Sequence, residues 1–448
     1  MFCRVVATSS RYLTLSSARN APRVAVVGSG PAGLFTCATL LRRVPSCVID
    51  VFDAAPVPFG LVRYGVAPDH QEVKNCIHGF EKIFNDHPNQ ANLFCNVNIG
   101  RDVKLQELFD NYDAVLLAYG AHRPRRLKIP GYDAKNVISG SDFVSWYNGV
   151  PDTQAPKLDG KNAVIIGNGN VALDCARMIS SSDNLQTTDI PKEPLEILSK
   201  SQLSKITIAG RRGPQNVSFT IKELREQFKV STWSSFVSLR DSELEDLQKA
   251  LASGDRRKKR LFQVMLDNLA SPAKTRQTKE CNFVFNHVPV SVEKNNENFV
   301  QSVRFNDQIA QKEVSYPCDL LIYSIGYENI ILDGLPVNEN GSLKLLDECR
   351  VDVSSAAVFA CGWCSHGPRG VIVDTQQQSV AVAQRIAEIL PSNLETKPGV
   401  SSLLESRGIR YISWKEWCSI DEEERRAGHE MGKIREKILH FEPILSRK

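Results

Sequence analysis

Three observations predict an α/β fold of two parallel-sheet units. A strand, glycine-turn and helix signature starts at Val24 and recurs at Ala163; each copy leads to a second apolar strand with its own ending; and two similar buried-looking runs close on glycine, Asp113 to Gly120 and Asp319 to Gly326. The first signature is the run Val24 to Val27 followed by Gly28-Ser29-Gly30-Pro31-Ala32-Gly33. The second is Ala163 to Ile166 followed by Gly167-Asn168-Gly169-Asn170-Val171-Ala172. Such a turn lets backbone amides approach a pyrophosphate and places it at the positive end of the helix dipole. Gly28 and Gly167 make the turn, Gly30 and Gly169 leave room for the phosphate, and Gly33 (Ala172 in the second copy) allows helix and strand to pack closely. A chance glycine turn is the competing explanation for either copy taken alone.

The residues that follow the turns separate the two copies. In the first, Asp53 stands at the end of Val48-Ile49-Asp50-Val51-Phe52, 20 positions past Gly33. A carboxylate there accepts hydrogen bonds from the ribose hydroxyls of an adenosine without a 2'-phosphate, such as that of FAD. A solvated loop aspartate is the alternative. In the second copy the strand Lys205 to Gly210 runs into Arg211-Arg212, with no acid at its end. Two guanidiniums suit a 2'-phosphate because arginine makes forked, charge-assisted bonds to phosphate oxygens, so this copy is expected to bind NADP rather than NAD. A surface charge cluster is the other explanation of the pair. The stretch from Ala172 to Arg211 is much longer than its counterpart from Gly33 to Asp53 and requires an inserted segment around Ser180 to Gln202.

Between the copies, Pro58 to His70 carries glycines and prolines that exclude a regular helix, and it reads as a long shaped loop leading into a helical run from Gln71 to Phe84. The runs ending at Gly120 and Gly326 are expected to mark the crossings between two domains. The chain is therefore expected to comprise a discontinuous FAD-binding domain, residues 23–121 and 328–448, with an NADP-binding domain, residues 122–327, inserted into it. Ala357 to Trp363 is a further strand-to-loop element, and a helix from Thr375 to Ile389 follows Gly367 to Ile372. The charged region Arg240 to Asn298 carries no readable chemistry.

At 448 residues with 42% hydrophobic and 24% charged residues, the chain has ordinary globular usage and room for two or three domains. The first acidic residue is Asp50, whereas Arg4, Arg11, Arg19 and Arg23 lie among serines, threonines and small apolar residues. That pattern is a mitochondrial transit peptide, set here at residues 1–22, with a disordered N-terminus as the alternative. Its removal takes three arginines and lowers the net charge from +4 to +1, 52 basic against 51 acidic residues. Attraction to an acidic partner must then come from a local patch, and Arg256-Arg257-Lys258-Lys259-Arg260 is the candidate. Val24 to Leu41 holds 18 uncharged residues, but three glycines and Pro31 argue against a membrane span. A soluble or peripheral protein is expected. The 12 cysteines should be mostly reduced in a mitochondrial matrix. Cys361-Gly362-Trp363-Cys364 has the spacing of a redox dithiol, to be weighed against a buried, inert pair.

These residues resemble one family, the mitochondrial NADPH:ferredoxin reductases of which adrenodoxin reductase is the best known. The resemblance is carried by Val27 to Gly33, Pro58 to Asn75, Gly167 to Arg177, Gly210 to Arg225, Gly362-Trp363 and Gly367 to Ile372, and Pro58 to His70 is its most specific part. It implies that Ala32, Asp53, Leu61, Val97, Trp363, Gly370, Val371 and Ile372 line FAD. It likewise implies that Asn168 to Val171, Arg211, Arg212, Glu223 and Gly370 meet NADP. Where the family has glutamate, glutamine and threonine, this chain has Asp53, Asn168 and Arg369. The first two keep the chemistry one methylene shorter, and Arg369 alters the charge near the expected nicotinamide entrance.

NADPH yields two electrons as a hydride, whereas an iron-sulfur ferredoxin takes one at a time, and FAD bridges the mismatch. The resemblance assigns His70 and Asp174 a proton or coupling role near the flavin and nicotinamide, against a structural reading in which His70 fixes its loop and Asp174 pairs within its helix. The expected partner is a small acidic [2Fe-2S] ferredoxin of the adrenodoxin kind, docked by charge. The resemblance points to Arg225 as a contact, and the cluster containing Arg256, Arg257 and Arg260 is added on its charge. No metal site and no nucleic-acid partner are expected, the family implies a monomer, and peripheral association with the inner mitochondrial membrane stays open. Supply of iron-sulfur assembly or of hydroxylase systems follows as the downstream role. Two other functions stay open at this point: a thioredoxin-reductase-like dithiol flavoenzyme using Cys361 and Cys364, and a catalytically silent nucleotide-binding redox sensor.

Overall fold

The structure, a computed structural model, describes residues 21–121, 123–181, 184–272, 274, 278–390 and 397–446. Two parallel sheets dominate it. The first has five strands in the order Val358–Ala360, Ala114–Leu117, Arg23–Val27, Val48–Asp53 and Ala91–Cys95. The second has six, in the order Val137–Ser139, Leu320–Tyr323, Asn162–Ile166, Lys205–Ala209, Glu280–Val284 and Ser234–Val237. Parallel sheets need both faces covered, which is why Val24 to Val27 of one strand and the strands Ala114–Leu117 and Leu320–Tyr323 read as continuous apolar runs rather than alternating ones.

On one face of the first sheet the helices Pro31–Arg43 and Ile372–Ile389 pack side by side, joining the beginning of the chain to its last quarter. The second sheet buries one face under an antiparallel meander of His287–Lys294, Val300–Asp307 and Lys312–Pro317, whose Val292, Val303 and Phe305 meet Val164, Ile166 and Leu321. Between the sheets, Arg123–Pro124 pairs antiparallel with Tyr327–Glu328 as a two-stranded ribbon. The two glycine-closed runs thus end one in each sheet, with the ribbon just beyond them.

Several expectations need correction. Pro58 to His70 is not wholly irregular: Gly60–Tyr64 forms a short helix. It starts because Phe59 adopts a left-handed conformation, φ 83°, with its ring buried against Phe80, Trp414 and Trp417. A non-glycine residue in that region stores strain that only surrounding packing can hold. The expected helix 71–84 is split into Gln71–Lys74 and Ile77–Asp86. The expected helix from Thr375 begins earlier, at Ile372, where Gly370 at φ 82° turns the chain and Asp374 accepts from the Val371 amide. The segment required between Ala172 and Arg211 contains the helix Lys192–Ser199. The charged region from Arg240 onward folds as two helices, Asp241–Ser253 and Arg256–Leu266, followed by strands. The span that could have been membrane-crossing is a strand, turn and helix, and no described helix is long and apolar enough to cross a membrane. The expected transit segment lies, apart from residues 21 and 22, outside the described residues.

Candidate functional site: two phosphate cradles and a charged cluster

Each glycine of the first turn has its own geometric reason. Gly28, at φ 112°, sits so tightly on the Ala118 backbone that a side chain there would strike the carbonyl, and a Cβ on Gly33 would fall on the Gly28 oxygen. Around Gly30, by contrast, an added Cβ meets nothing within 4 Å. The turn is thus closed toward the protein and open at one point, next to the uncapped N-terminus of helix Pro31–Arg43. A phosphate fits that opening, where orphan amides and the helix dipole favour an anion. The second turn repeats the arrangement: Gly167, at φ 133°, is pressed on the Ser324 carbonyl, Gly169 is open, and helix Asn170–Ser180 has no side-chain cap. Ala172, fully buried, fills the third position.

Around the first cradle, Ala32 is buried and lies against Gly362, Val97 is buried, and Leu61 is exposed on the short helix whose first residue, Gly60, approaches Gly30. Trp363 is half-buried, its ring 5.9 Å from Tyr327 of the ribbon. Gly370, Val371 and Ile372 form the N-terminal entry of helix Ile372–Ile389. Asp53 ends its strand as expected, yet its carboxylate is turned to the glycine loop: Oδ2 accepts from the Ser29 amide at 2.8 Å and hydroxyl at 2.5 Å, and Oδ1 from the Ala55 amide at 2.9 Å. The carboxylate braces the turn and keeps one lone pair, on Oδ1, for a ribose hydroxyl.

Around the second cradle, the Asn168 Oδ1 is buried without a hydrogen-bond partner, an orphaned acceptor at the phosphate turn. The Asn170 side chain accepts from the Thr220 amide. Arg211 and Arg212 leave the end of strand Lys205–Ala209 exposed, and neither is in an ion pair with a described residue. Two free guanidiniums beside a phosphate turn are the chemistry a 2'-phosphate requires.

A charged cluster that sequence reading found only in part ties the helix of the second turn to the segment Asp69-His70 and to helix Ile221–Lys229. Arg177, buried on the helix of the second turn, binds Asp69 at 2.6 Å, Asp174 at 2.6 Å and Glu223 at 3.0 Å. His70 Nε2 lies 2.7 Å from Glu226, 3.8 Å from Glu223 and 3.4 Å from an Arg177 nitrogen. His70 and Asp174, expected as a pair, are therefore joined through Arg177 rather than directly. Glu223, expected at NADP, turns its carboxylate inward to Arg177. Asp69, Arg177 and Glu226 were missed. The available signal was spacing, since Arg177 stands three residues after Asp174 and Glu226 three after Glu223, on one face of each helix. Burial, then the nearby Asp174 charge, pushes the Glu223 carboxyl up to about 7. Burial likewise raises Asp174, while the Arg177 bonds hold Asp69 below the usual carboxylate range. Carboxylates of opposite tendency around one histidine suit a site that holds a proton near neutrality.

Arg225 is exposed on helix Ile221–Lys229, which packs against helix Arg256–Leu266 carrying Arg256, Arg257, Lys258, Lys259 and Arg260. None of these six is ion-paired with a described residue. Cations at the start of a helix oppose its dipole, each by about 0.3–1 kcal/mol, so these five do not serve the helix itself. Cys361 and Cys364 are buried, free thiols. Burial raises both, Cys364 to about 12, which suits the inert reading over a reactive dithiol.

Known proteins resemble this chain along nearly its whole length. The pattern of the pyridine nucleotide-disulphide oxidoreductase family matches residues 22–206. The mitochondrial NADPH:adrenodoxin oxidoreductase of Drosophila melanogaster is 38% identical, covering 98% of this chain and 96% of the relative. Its Homo sapiens counterpart is 35% identical over 96% of this chain and 92% of the relative. Among solved structures, Mycobacterium tuberculosis FprA in complex with NADPH has a TM-score of 0.85 at 30% identity, covering 95% of this chain and 99% of that one. A two-cradle chain matched along nearly its whole length by such relatives belongs to the mitochondrial NADPH:adrenodoxin oxidoreductase family.

Proposed function

We propose that the first cradle holds FAD and the second NADPH, in an enzyme that passes electrons to a [2Fe-2S] ferredoxin of the adrenodoxin kind. The chain is an FAD-dependent NADPH:ferredoxin oxidoreductase, a mitochondrial flavoprotein. FAD supplies the two-electron to one-electron conversion when bound. The chain's own residues supply position and charge. Gly28, Gly30 and Gly33 shape the flavin pyrophosphate seat, Asp53 meets the ribose, and Ala32, Leu61, Val97, Trp363 and Gly370 to Ile372 surround the remainder. Gly167 to Val171 seat the NADPH pyrophosphate, and Arg211 and Arg212 take its 2'-phosphate. His70, Asp174 and Glu223, gathered by Arg177, hold the proton inventory between the two seats.

The observation that carries this reading is the contrast between the cradles: the strand after one ends in a carboxylate bonded to the glycine turn, the strand after the other runs into two exposed arginines without an ion-pair partner among the described residues. The same contrast supports residues 23–121 and 328–448 as the FAD domain and 122–327 as the inserted NADP domain. Arg225, Arg256, Arg257 and Arg260 form the docking face for the acidic ferredoxin. The family expectation of a monomer in the matrix is kept, and the exposed basic face is compatible with peripheral association with the inner membrane.

Anaerobic titration of the yellow protein with NADPH, then with NADH, followed by a [2Fe-2S] ferredoxin, tests the whole reading. The expected result is bleaching by NADPH at far lower concentration than by NADH, and reoxidation when ferredoxin is added. Equal bleaching by NADH would remove the arginine assignment, and bleaching without reoxidation would remove the ferredoxin.

A further inference from the structure

The segment that carries His70 is gripped on both sides by residues of the NADP unit. On one side Arg177 holds Asp69. On the other stands Asp189, from the segment inserted between Ala172 and Arg211, only 3% exposed and with both carboxylate oxygens engaged. Its Oδ1 accepts from Gln71 Nε2 at 2.7 Å and from Lys74 Nζ at 2.8 Å, and its Oδ2 lies 2.7 Å from Lys74 Nζ and 3.0 Å from Lys437 Nζ. Gln71 also donates to the Pro68 carbonyl, so one amide nitrogen ties both flanks of His70 to Asp189.

Lys437 extends the grip to the flavin side. Fully buried, it donates to the carbonyls of Arg63, in the helix Gly60–Tyr64, and Asn148, so its three N–H groups join three chain segments. Two buried lysines share one buried carboxylate here. A buried ion pair is seldom the most stable choice, because desolvation offsets its Coulomb gain and apolar residues of similar volume often do better. What such a group does supply is a fixed geometry, since each charge is costly in any other arrangement. Burial holds both lysines below their ordinary range, and the Asp189 charge opposes that shift.

We propose that Asp189 is a positioning residue for His70: from the inserted segment of the NADP unit it clamps Gln71 and Lys74, and through Lys437 it fixes that segment against the helix that borders the flavin seat. The inserted segment thereby acquires a role in the reaction. The inference rests on the placement of His70 between the two nucleotides given above.

The test compares wild-type, Asp189→Asn and Gln71→Ala holoenzymes by amide hydrogen exchange and by stopped-flow flavin bleaching with NADPH. Asp189→Asn removes the charge that both lysines need, whereas Gln71→Ala removes one contact and leaves no buried charge unpaired, so it retains the fold if the first variant loses it. The expected result is at least tenfold faster exchange across residues 66–76 in Asp189→Asn and severalfold in Gln71→Ala, with exchange at both glycine turns unchanged. Bleaching is expected to slow about tenfold and about threefold respectively, at an NADPH dissociation constant within twofold of wild type, and Asp189→Glu to recover part of the loss. Unchanged exchange across residues 66–76 in either folded variant overturns the proposal, as does slower bleaching that merely follows weaker NADPH binding. Failure of the wild-type protein to bleach at all would instead refute the electron-transfer reading, and the exchange measurement would then judge the clamp alone.

Discussion

Gly30 and Gly33 stand three residues apart in one motif, yet the structure assigns them opposite reasons for being glycine, and alanine substitutions separate these. At Gly30 an added Cβ meets nothing within 4 Å and φ is −77°, so the backbone accepts alanine. The cost to the protein without flavin is that of a poorer N-cap, about 0.5–1 kcal/mol. The methyl group instead occupies the space expected for the pyrophosphate. Losing one charge-assisted hydrogen bond there costs about 1.5–3 kcal/mol, or about ten- to hundredfold in FAD affinity. At Gly33 the methyl would fall on the Gly28 oxygen, an overpacking expected to cost about 1–3 kcal/mol in the flavin-free fold. Thermal denaturation of the apoprotein and fluorescence titration with FAD measure both. Gly30→Ala should leave the apoprotein melting point nearly unchanged and weaken FAD, whereas Gly33→Ala should lower the melting point before any flavin is added. Wild-type FAD affinity in Gly30→Ala would refute the placement of the phosphate.

Four further outcomes follow from the site. Replacing Arg211 and Arg212 together by alanine should raise the KM for NADPH about ten- to hundredfold through loss of charge-assisted bonds, while the KM for NADH changes little. Alanine at Arg256, Arg257 and Arg260 should raise the KM for ferredoxin and flatten its dependence on ionic strength, leaving ferricyanide reduction unaltered. Replacing Cys361 and Cys364 by serine should preserve ferredoxin-dependent turnover, and Cys364, raised to about 12, should alkylate slowly at pH 8 in the native protein. Glu223 is raised from 4.5 to about 7, so across that interval the folded state holds more protons than the unfolded chain. Its contribution to stability therefore falls as pH rises from about 4.5 to about 7, and Glu223→Gln should flatten that limb of the melting-point profile.

The two cradles were legible because a phosphate turn is local: strand, glycines and helix start are contiguous in the chain, and each glycine answers a clash with its immediate neighbourhood. The residues that follow were legible for the same reason, since Asp53 ends one strand and Arg211 stands two residues past the end of the other. Two helical runs were expected beyond the turns, and the limits of both differ: the run 71–84 is split and the run from Thr375 begins at Ile372. Phe59 forces a helix into Gly60–Tyr64 only because Phe80, Trp414 and Trp417 close around its ring, and the two tryptophans come from the far end of the chain.

The sequence by itself determined that the chain carries two strand, glycine-turn and helix units, and that an acid follows one of them and two arginines the other. Tertiary structure alone decided that His70 and Asp174 meet through Arg177, that Asp53 braces the turn beside it, and that Asp189 reaches Gln71, Lys74 and Lys437. The physical reason is range. A backbone turn is specified by the residues that make it, whereas a buried charge is specified by whichever distant partners can neutralise it, and those are chosen only when the chain has folded.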